Sequence, residues 1–421
     1  MDLKGKKLLI LGGNSLSGDI VRTAQKLGVY TIVTDWYDTN RSPAKLLADE
    51  YWNEEIFKPE RIADLIKQHH IDGVMTGFTD SYLLQYQKIC DLAGLPCYAT
   101  KEVFELTMDK ARFKQLCRDY DVPVIPEYRL TDFDPKTISP STKVIVKPVD
   151  NSGSRGVVLC QRSEDFEECV QYALSFSEKK QVIVEKYMEL DSISVSYTLQ
   201  DGRCSLSTID DRYVHKSTNG SAVTCLGVYP SKYTDVYLRD LDLKVRTMFE
   251  KAGLRNGVLA MQFFTDGEEF YVMEMGHRLT GGQHYTYTLK ENGISALEFL
   301  IHFALTGRMA DYEISEHENP RFKNTYAHLF ILGREAKIAR MEGYDLLEQM
   351  PEAMHVQLMK NVGDTIGRDG TSAQKIAGLH LRLRDTEHLK RVMQDVIESF
   401  HVFDSEGNEL ALDLRSEINL W

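Results

Sequence analysis

Lys147 closes a run of β-branched residues, Val144-Ile145-Val146, and a polar, glycine-bearing loop, Ser152-Gly153-Ser154-Arg155-Gly156, follows shortly after it. A lysine ammonium is a compact point charge. Backbone N–H groups, hydroxyls and a guanidinium offered together suit phosphate oxygens. Glycine lets the loop amides approach such a group closely. A second β-branched run, Val157-Val158-Leu159, comes next. The stretch is therefore strand, loop and strand, and not the GxxxxGK[ST] loop that runs into a helix. Taken alone, it also fits an ordinary hairpin beside a solvated lysine.

Gln262 and Glu274 form a second constellation. Val258 to Phe264 and Phe270 to Met275 are expected strands joined across Thr265-Asp266-Gly267-Glu268-Glu269. The two positions share parity, so an odd-length loop puts both side chains on one face. A two-residue Asp-Gly turn would separate them. An amide oxygen beside a carboxylate suits Mg²⁺, which takes one or two protein ligands and completes its octahedron with phosphate and water. The alternative is a structural ion pair between Glu274 and Arg278. The next residues, Gly276-His277-Arg278-Leu279-Thr280-Gly281-Gly282, make a donor-rich loop able to clamp a carboxylate.

Two further stretches carry candidate contacts. Lys110 opens an expected helix, Asp109 to Tyr120, where a cation opposes the macrodipole unless an anion lies near. It is a phosphate-contact candidate or an ordinary surface lysine. Glu185-Lys186-Tyr187-Met188 prolongs an expected strand, Val182 to Val184, as extended backbone that can offer one N–H and one C=O to an adenine edge.

The elements that must position these groups alternate at the start of the chain. Lys7 to Leu11, Tyr30 to Thr34, Asp72 to Thr76 and Pro96 to Ala99 are expected strands, with helices from Leu16 to Leu27 and Ser81 to Ala93. Such alternation implies a parallel, doubly wound sheet. Ligands of these sheets sit beyond the strands' carboxyl ends, which brings Gly13, Asp35 and Thr79 to Ser81 to a common cleft. Gly12-Gly13-Asn14-Ser15 is a weak dinucleotide fingerprint, because GGNSLSG lacks the second glycine of GxGxxG. Further on, Glu164 to Phe176 is an expected helix, and Ile193 to Leu199 pairs with Cys204 to Asp210 about Asp201-Gly202. Asp210-Asp211-Arg212 and His215 to Ser221 are expected in a loop. Beyond residue 310 the strands Tyr326 to Leu332, His355 to Met359 and Ala377 to Leu383, with a helix from Thr386 to Phe400, suggest a small α+β unit.

The chain of 421 residues carries a net charge of −13, which argues against nucleic-acid and anionic-membrane surfaces. A bound polyanion would need a local cationic pocket. No apolar run reaches the ~18 residues of a membrane span, and glycine interrupts MDLKGKKLLILGG too early for a signal peptide. The seven cysteines include no CxxC, which suits reduced thiols and a cytoplasmic setting.

Four motifs in order, MDKARFKQLCRDYDVPVIP, VIVKPVDNSGSRGV, VIVEKYMEL and MQFF…FYVMEMGHR, resemble the ATP-grasp superfamily, over about residues 105 to 282. The nearest likeness is to the carboxylate–amine (amino-acid) ligase, carbamoyl phosphate synthetase and biotin carboxylase branch. The resemblance implies an α/β protein in three parts. These are an N-terminal Rossmann-like pre-ATP-grasp domain (1–103), an ATP-grasp domain of two α+β subdomains (104–310, with a mobile lid at about 126–187) and a small C-terminal α+β domain (311–421).

It further implies ATP and Mg²⁺ as cofactors. Lys110 and Lys147 would contact phosphates, and Ser152, Gly153, Ser154, Arg155 and Gly156 would form a closing loop. Glu185, Lys186, Tyr187 and Met188 would form the adenine hinge, Gln262 and Glu274 would hold the metal, and Arg278 would bind the acyl phosphate's acid group or its transition state, with Arg278 and Lys147 as the catalytic residues. Gly13, Asp35, His277, Gly281 and Gly282 are further substrate-contact candidates. Gly276 stands where many relatives have Asn, and Ser192 where a ribose-binding Glu is common, which leaves Asp191 as a substitute.

The implied activity joins a small carboxylic acid to an amine through an acyl phosphate, releasing ADP and phosphate. Bicarbonate-activating chemistry, a nicotinamide-dependent oxidoreductase and a non-catalytic nucleotide-binding regulator are the alternatives. No nucleic-acid or membrane partner is expected, and a homodimer is left open.

Overall fold

The computed structural model describes residues 2–149, 155–217, 221–415 and 418. Ser152, Gly153 and Ser154 lie outside the described residues. The chain begins with a four-stranded parallel sheet, in which Lys7–Leu11 lies between Tyr30–Thr34 and Gly73–Thr76, and Glu50–Trp52 forms the outer edge. Helices Ser17–Lys26, Pro59–His69 and Leu83–Ala93 cover it. Leu8 to Leu11 of the central strand is an unbroken apolar run because both faces are buried.

Pro96 to Ala99 is not a strand. Pro96 has no N–H for a ladder, and the Tyr98 ring instead packs among Tyr86, Phe104 and His277.

A small antiparallel sheet occupies residues 127–186, with Val182–Lys186 and Val144–Pro148 at its centre and Glu127–Tyr128 and Val158–Cys160 at its edges. Helix Phe166–Ser175 closes its core through Phe166, Val170 and Ala173. Gly156, at the start of the returning strand, has φ +77°, and a β-carbon there would stand 2.6 Å from the Phe176 Cβ. Only glycine fits both constraints.

The third layer is an eight-stranded antiparallel sheet. Its order is Phe270–Gly276, Gly257–Thr265, Asp191–Gln200, Arg203–Lys216, Ala222–Tyr229, Thr325–Leu332, Lys375–Leu383 and Ala353–Leu358. Period-two alternation sorts its side chains. Along Asp191–Gln200, Ile193, Val195, Tyr197 and Leu199 pack on Val245, Met248 and Phe249 of helix Asp242–Lys251. Ser192, Ser194 and Ser196 point the other way.

Two expectations change here. Asp210-Asp211-Arg212 is no loop but the middle of a 14-residue strand. The residues beyond 310 do not build a separate sheet either, since Thr325–Leu332 pairs directly with Ala222–Tyr229 across the expected boundary. Helix Ala296–Thr306, in turn, packs into the N-terminal core through Leu300, Ile301 and Ala304.

Several histidines are sealed in this framework. Burial pushes His277 and His284 down to about 4 and His380 to about 3. These rings stay neutral in the folded chain but take protons in the unfolded chain below about pH 6.5. Their contribution to stability is therefore constant above that pH and falls as pH drops from about 6.5 to about 4, while Asp210 and Glu318, raised to about 7 by burial, act in the opposite sense. Replacing His277 with Gln should make the urea midpoint higher at pH 4 relative to pH 7 than the same comparison in wild type.

Candidate active site

Two adjoining clefts lie on the polar face of the long sheet. The outer cleft, about 1510 Å³ with open solvent included, is roofed by the small sheet. The inner one, about 1180 Å³ on the same measure, lies against the N-terminal domain. Arg212, Thr224, Gln262, Glu274 and Lys375 line both, so they mark the junction.

The outer cleft gathers Lys110, Lys147, Arg155, Glu185, Lys186, Tyr187 and Met188, all expected from the sequence. Lys147 Nζ lies 2.7 Å from Glu185 Oε2, and the other Glu185 oxygen binds Lys114, which also pairs with Glu127. Lys114 is 2 % exposed and Glu185 4 %. Buried charges of this kind persist only when paired. The Glu185 carboxyl is held below its usual range against the opposing pull of its own burial, because the Lys147 and Lys114 ammonium groups face it.

Lys114 was not singled out in the sequence. Its signal was the i, i+4 spacing from Lys110, which sets both on one face of helix Lys110–Asp119. Asp109 caps that helix by accepting from the Ala111 and Arg112 N–H groups, which offsets the cation at its first position. Burial, and then the neighbouring Lys147 charge, lower the pKa of Lys110.

The hinge differs in detail from expectation. Glu185 contributes a carboxylate tied to lysines, and its backbone is held between Glu127 and Ile145. Lys186 N donates to Pro126 O and Tyr187 N to Lys143 O, at 2.9 and 3.0 Å. Ile145, Met188, Val223 and Met273 supply apolar walls.

Gln262 and Glu274 are cross-strand partners. The connecting loop, Asp266 to Glu269, has four residues and not an odd number. Equal facing is restored by a β-bulge, since Phe263 pairs with Val272 and Gln262 with Glu274, leaving Met273 as the extra residue. Glu274 is open to the cavity. Gln262 Oε1 already accepts from Arg212 Nη1 at 2.9 Å; its second lone pair remains for another partner.

No group of three or more acidic, Cys or His side chains suited to a metal occurs among the described residues. The donor set fits an ion needing one or two protein oxygens, as Mg²⁺ does.

Arg278, Gly281 and Gly282 reach the inner cleft. Arg278 grips Asp80 of the N-terminal domain through two hydrogen bonds, 2.7 and 2.5 Å, and not Glu274.

Four expected contacts lie elsewhere. His277 stands 1 % exposed in the aromatic cluster with Tyr98 and Phe104, its Nε2 3.2 Å from Asn256 O. Asp191 lies on the opposite strand face from Ser192 and is engaged by Lys232 and Tyr233 at 2.7 and 2.6 Å. Asp35 accepts from Gly13 N, Ser42 Oγ and Tyr37 N, so these two residues brace the N-terminal turn and do not line either cleft.

Arg212 and Lys375 escaped the sequence reading. Arg212 donates to Ser192, Thr224 and Gln262. Lys375 comes from the C-terminal strands and lies 3.2 Å over the Phe330 ring. Burial, and then Arg212, push its pKa down to about 7. In a chain of net charge −13, Lys110, Lys147, Arg155 and Lys186 line the outer cleft, Arg278 the inner one, and Arg212 and Lys375 both.

The small antiparallel sheet and the larger one enclose the outer cleft, with Gln262 and Glu274 side by side at its floor. Residues 140–287 match the family model described as "ATP-grasp domain". The chain is 25 % identical over 198 residues to the formate-dependent phosphoribosylglycinamide formyltransferase of Bacillus subtilis, which covers 45 % of this chain and half the length of that relative. Among solved structures it is similar to the L-amino acid ligase from Bacillus licheniformis, with a TM-score of 0.77 and 18 % identity, covering 95 % of this chain and 99 % of the other. It is also similar to phosphoribosylglycinamide synthetase from Anaerococcus prevotii, with a TM-score of 0.74 and 17 % identity, covering 95 % and 100 %. At these identities the structural likeness carries the fold.

Proposed function

We propose that the protein is an ATP-dependent ligase that joins a small carboxylic acid to an amine through an acyl phosphate, releasing ADP and phosphate. The supporting observation is the junction. A nucleotide-sized cleft opens into a polar chamber at Arg212, Lys375, Gln262 and Glu274, which is where a terminal phosphate would meet an acid.

Lys110, Lys147 and Arg155 hold the phosphate tail, and Met188 meets the adenine edge, because the Lys186 and Tyr187 amides are already committed. Gln262 and Glu274 would hold Mg²⁺, which would neutralise charge on the phosphates. Arg278, oriented by Asp80, and Lys375 attract the acid's carboxylate into line with the terminal phosphate. A carboxylate is a poor electrophile; once phosphorylated, its carbonyl carbon can be attacked by an amine. The small sheet over the cleft limits access of water to that intermediate.

The test is ADP release by the full chain against a panel of acids, formate, bicarbonate and the common amino acids among them, each with and without an amine. Release that requires both an acid and an amine is expected. Release driven by bicarbonate alone, or by no acid, contradicts the proposal. Lys147→Ala should weaken ATP binding about 10–100-fold, the worth of a charged hydrogen bond, in a calorimetric titration; unchanged affinity would remove Lys147 from the phosphate site.

A further inference from the structure

The inner cleft holds a carboxylate that the phosphoryl-transfer step does not use. Asp210 is 6 % exposed and lies on the same strand face as Arg212, two residues on. The strand register forms a continuous row, Glu274–Gln262–Ser194–Asp210, across four strands. Asp210 is thus two strand spacings, about 10 Å, from Gln262. An acyl phosphate with an amine beside it bridges that span.

Gly227 keeps the space over Asp210 open. A β-carbon there would come within 3.2 Å of Asp210 Oδ2. The other two carboxylates of this cleft are committed, Asp80 to Arg278 and Glu274 to the metal position.

We propose that Asp210 is the catalytic base of the ligation step, the group that receives the amine's ammonium and takes a proton from it. The inference rests on the ligase reading above. The ammonium gives one proton to the Asp210 carboxylate, and the freed nitrogen lone pair attacks the acyl carbon. The C–N bond forms as the C–O bond to phosphate breaks, the leaving phosphate takes the nitrogen's second proton, and Asp210 returns its own to solvent.

The surroundings tune Asp210 for this task. Burial raises its carboxyl to about 7, while Arg212 on its own strand and the Tyr229 hydroxyl on the neighbouring side oppose the rise, and Asp211 adds to it. A base is most effective near the working pH. Tyr287, on helix Tyr285–Glu291, faces the same carboxylate. Lys375 and Arg278 line the far wall of the cleft, as does His328. His328 is the rival proton acceptor, since its Nε2 has no partner, but burial holds it well below its ordinary basicity.

Hydroxylamine separates this step from the rest, because it is neutral near pH 7 and needs no base. The full chain is supplied with MgATP and each common amino acid as the acid. Hydroxylamine or a second amino acid serves as the amine, and hydroxamate and dipeptide are measured from about pH 6 to about pH 9. Asp210→Asn should keep hydroxamate formation, lose dipeptide formation ~10²–10³-fold near pH 7, and recover at the alkaline end, where the ammonium loses its proton unaided. Asp210→Glu should retain part of the neutral-pH rate.

Equal loss of both products in a folded Asp210→Asn chain, or an unchanged pH profile for the dipeptide, overturns the base and leaves the ligase reading standing. Wild-type chain that forms hydroxamate with none of the acids, formate added to the amino acids, overturns both. If Asp210→Asn does not fold, Asp210→Glu decides, since a base role requires its pH profile to shift relative to wild type.

Discussion

Replacing Glu274 with Gln should reduce turnover by at least ~10²–10³-fold, the loss seen when one preorganised electrostatic contact to a transition state is removed, with little change in stability. Gln keeps the shape of the side chain and one oxygen but carries no charge. Glu274 faces open cavity and not the core, so the substitution unpacks nothing. The carboxylate is the single anionic member of the oxygen pair on the cleft floor. Its loss weakens the hold on a divalent cation and leaves the phosphate charge less neutralised. Magnesium titration of ADP release should show a raised requirement, alongside a thermal midpoint close to wild type. Normal turnover at low magnesium would place the metal elsewhere.

The opposite balance is expected at Glu185. Truncation to Ala leaves the 2 %-exposed Lys114 with Glu127 alone and removes the anion that positions Lys147. Breaking a buried pair from one side costs about 3–5 kcal/mol. The denaturant midpoint should fall markedly, and nucleotide affinity with it. Adding Lys114→Met should recover much of the stability, because an apolar side chain of similar length needs no counter-charge. It should not recover nucleotide affinity, since Lys147 still lacks its anchor. If Glu185→Ala alone unfolds at the wild-type midpoint, the triad is not structural.

What the sequence disclosed, and what it concealed, divides along range. That Lys147, Lys110 and residues 185–188 come to one cleft was legible, because each is announced by its immediate neighbours: a β-branched run, a helix start or a strand end. The common face of Gln262 and Glu274 was expected for the wrong reason: the connection has four residues, and a bulge at Met273 that no local signal announces restores equal facing. Arg212 and Lys375 were invisible, since what makes them significant is pairing between strands far apart in the chain. Asp191 and His277 failed for a different reason. Motif position placed them next to the cleft, while strand parity turned Asp191 away and an aromatic cluster absorbed His277.

The account stands on a cationic outer cleft that receives a triphosphate tail and points its end at the junction. A crystal structure of the chain with ADP and magnesium tests this most directly. The account predicts the diphosphate between Lys110 and Lys147, with the ion bound to Glu274 at the edge of the inner cleft and the adenine against Met188. A diphosphate seated at the N-terminal Gly12-Gly13 turn, or an ion bound without Glu274, would contradict it.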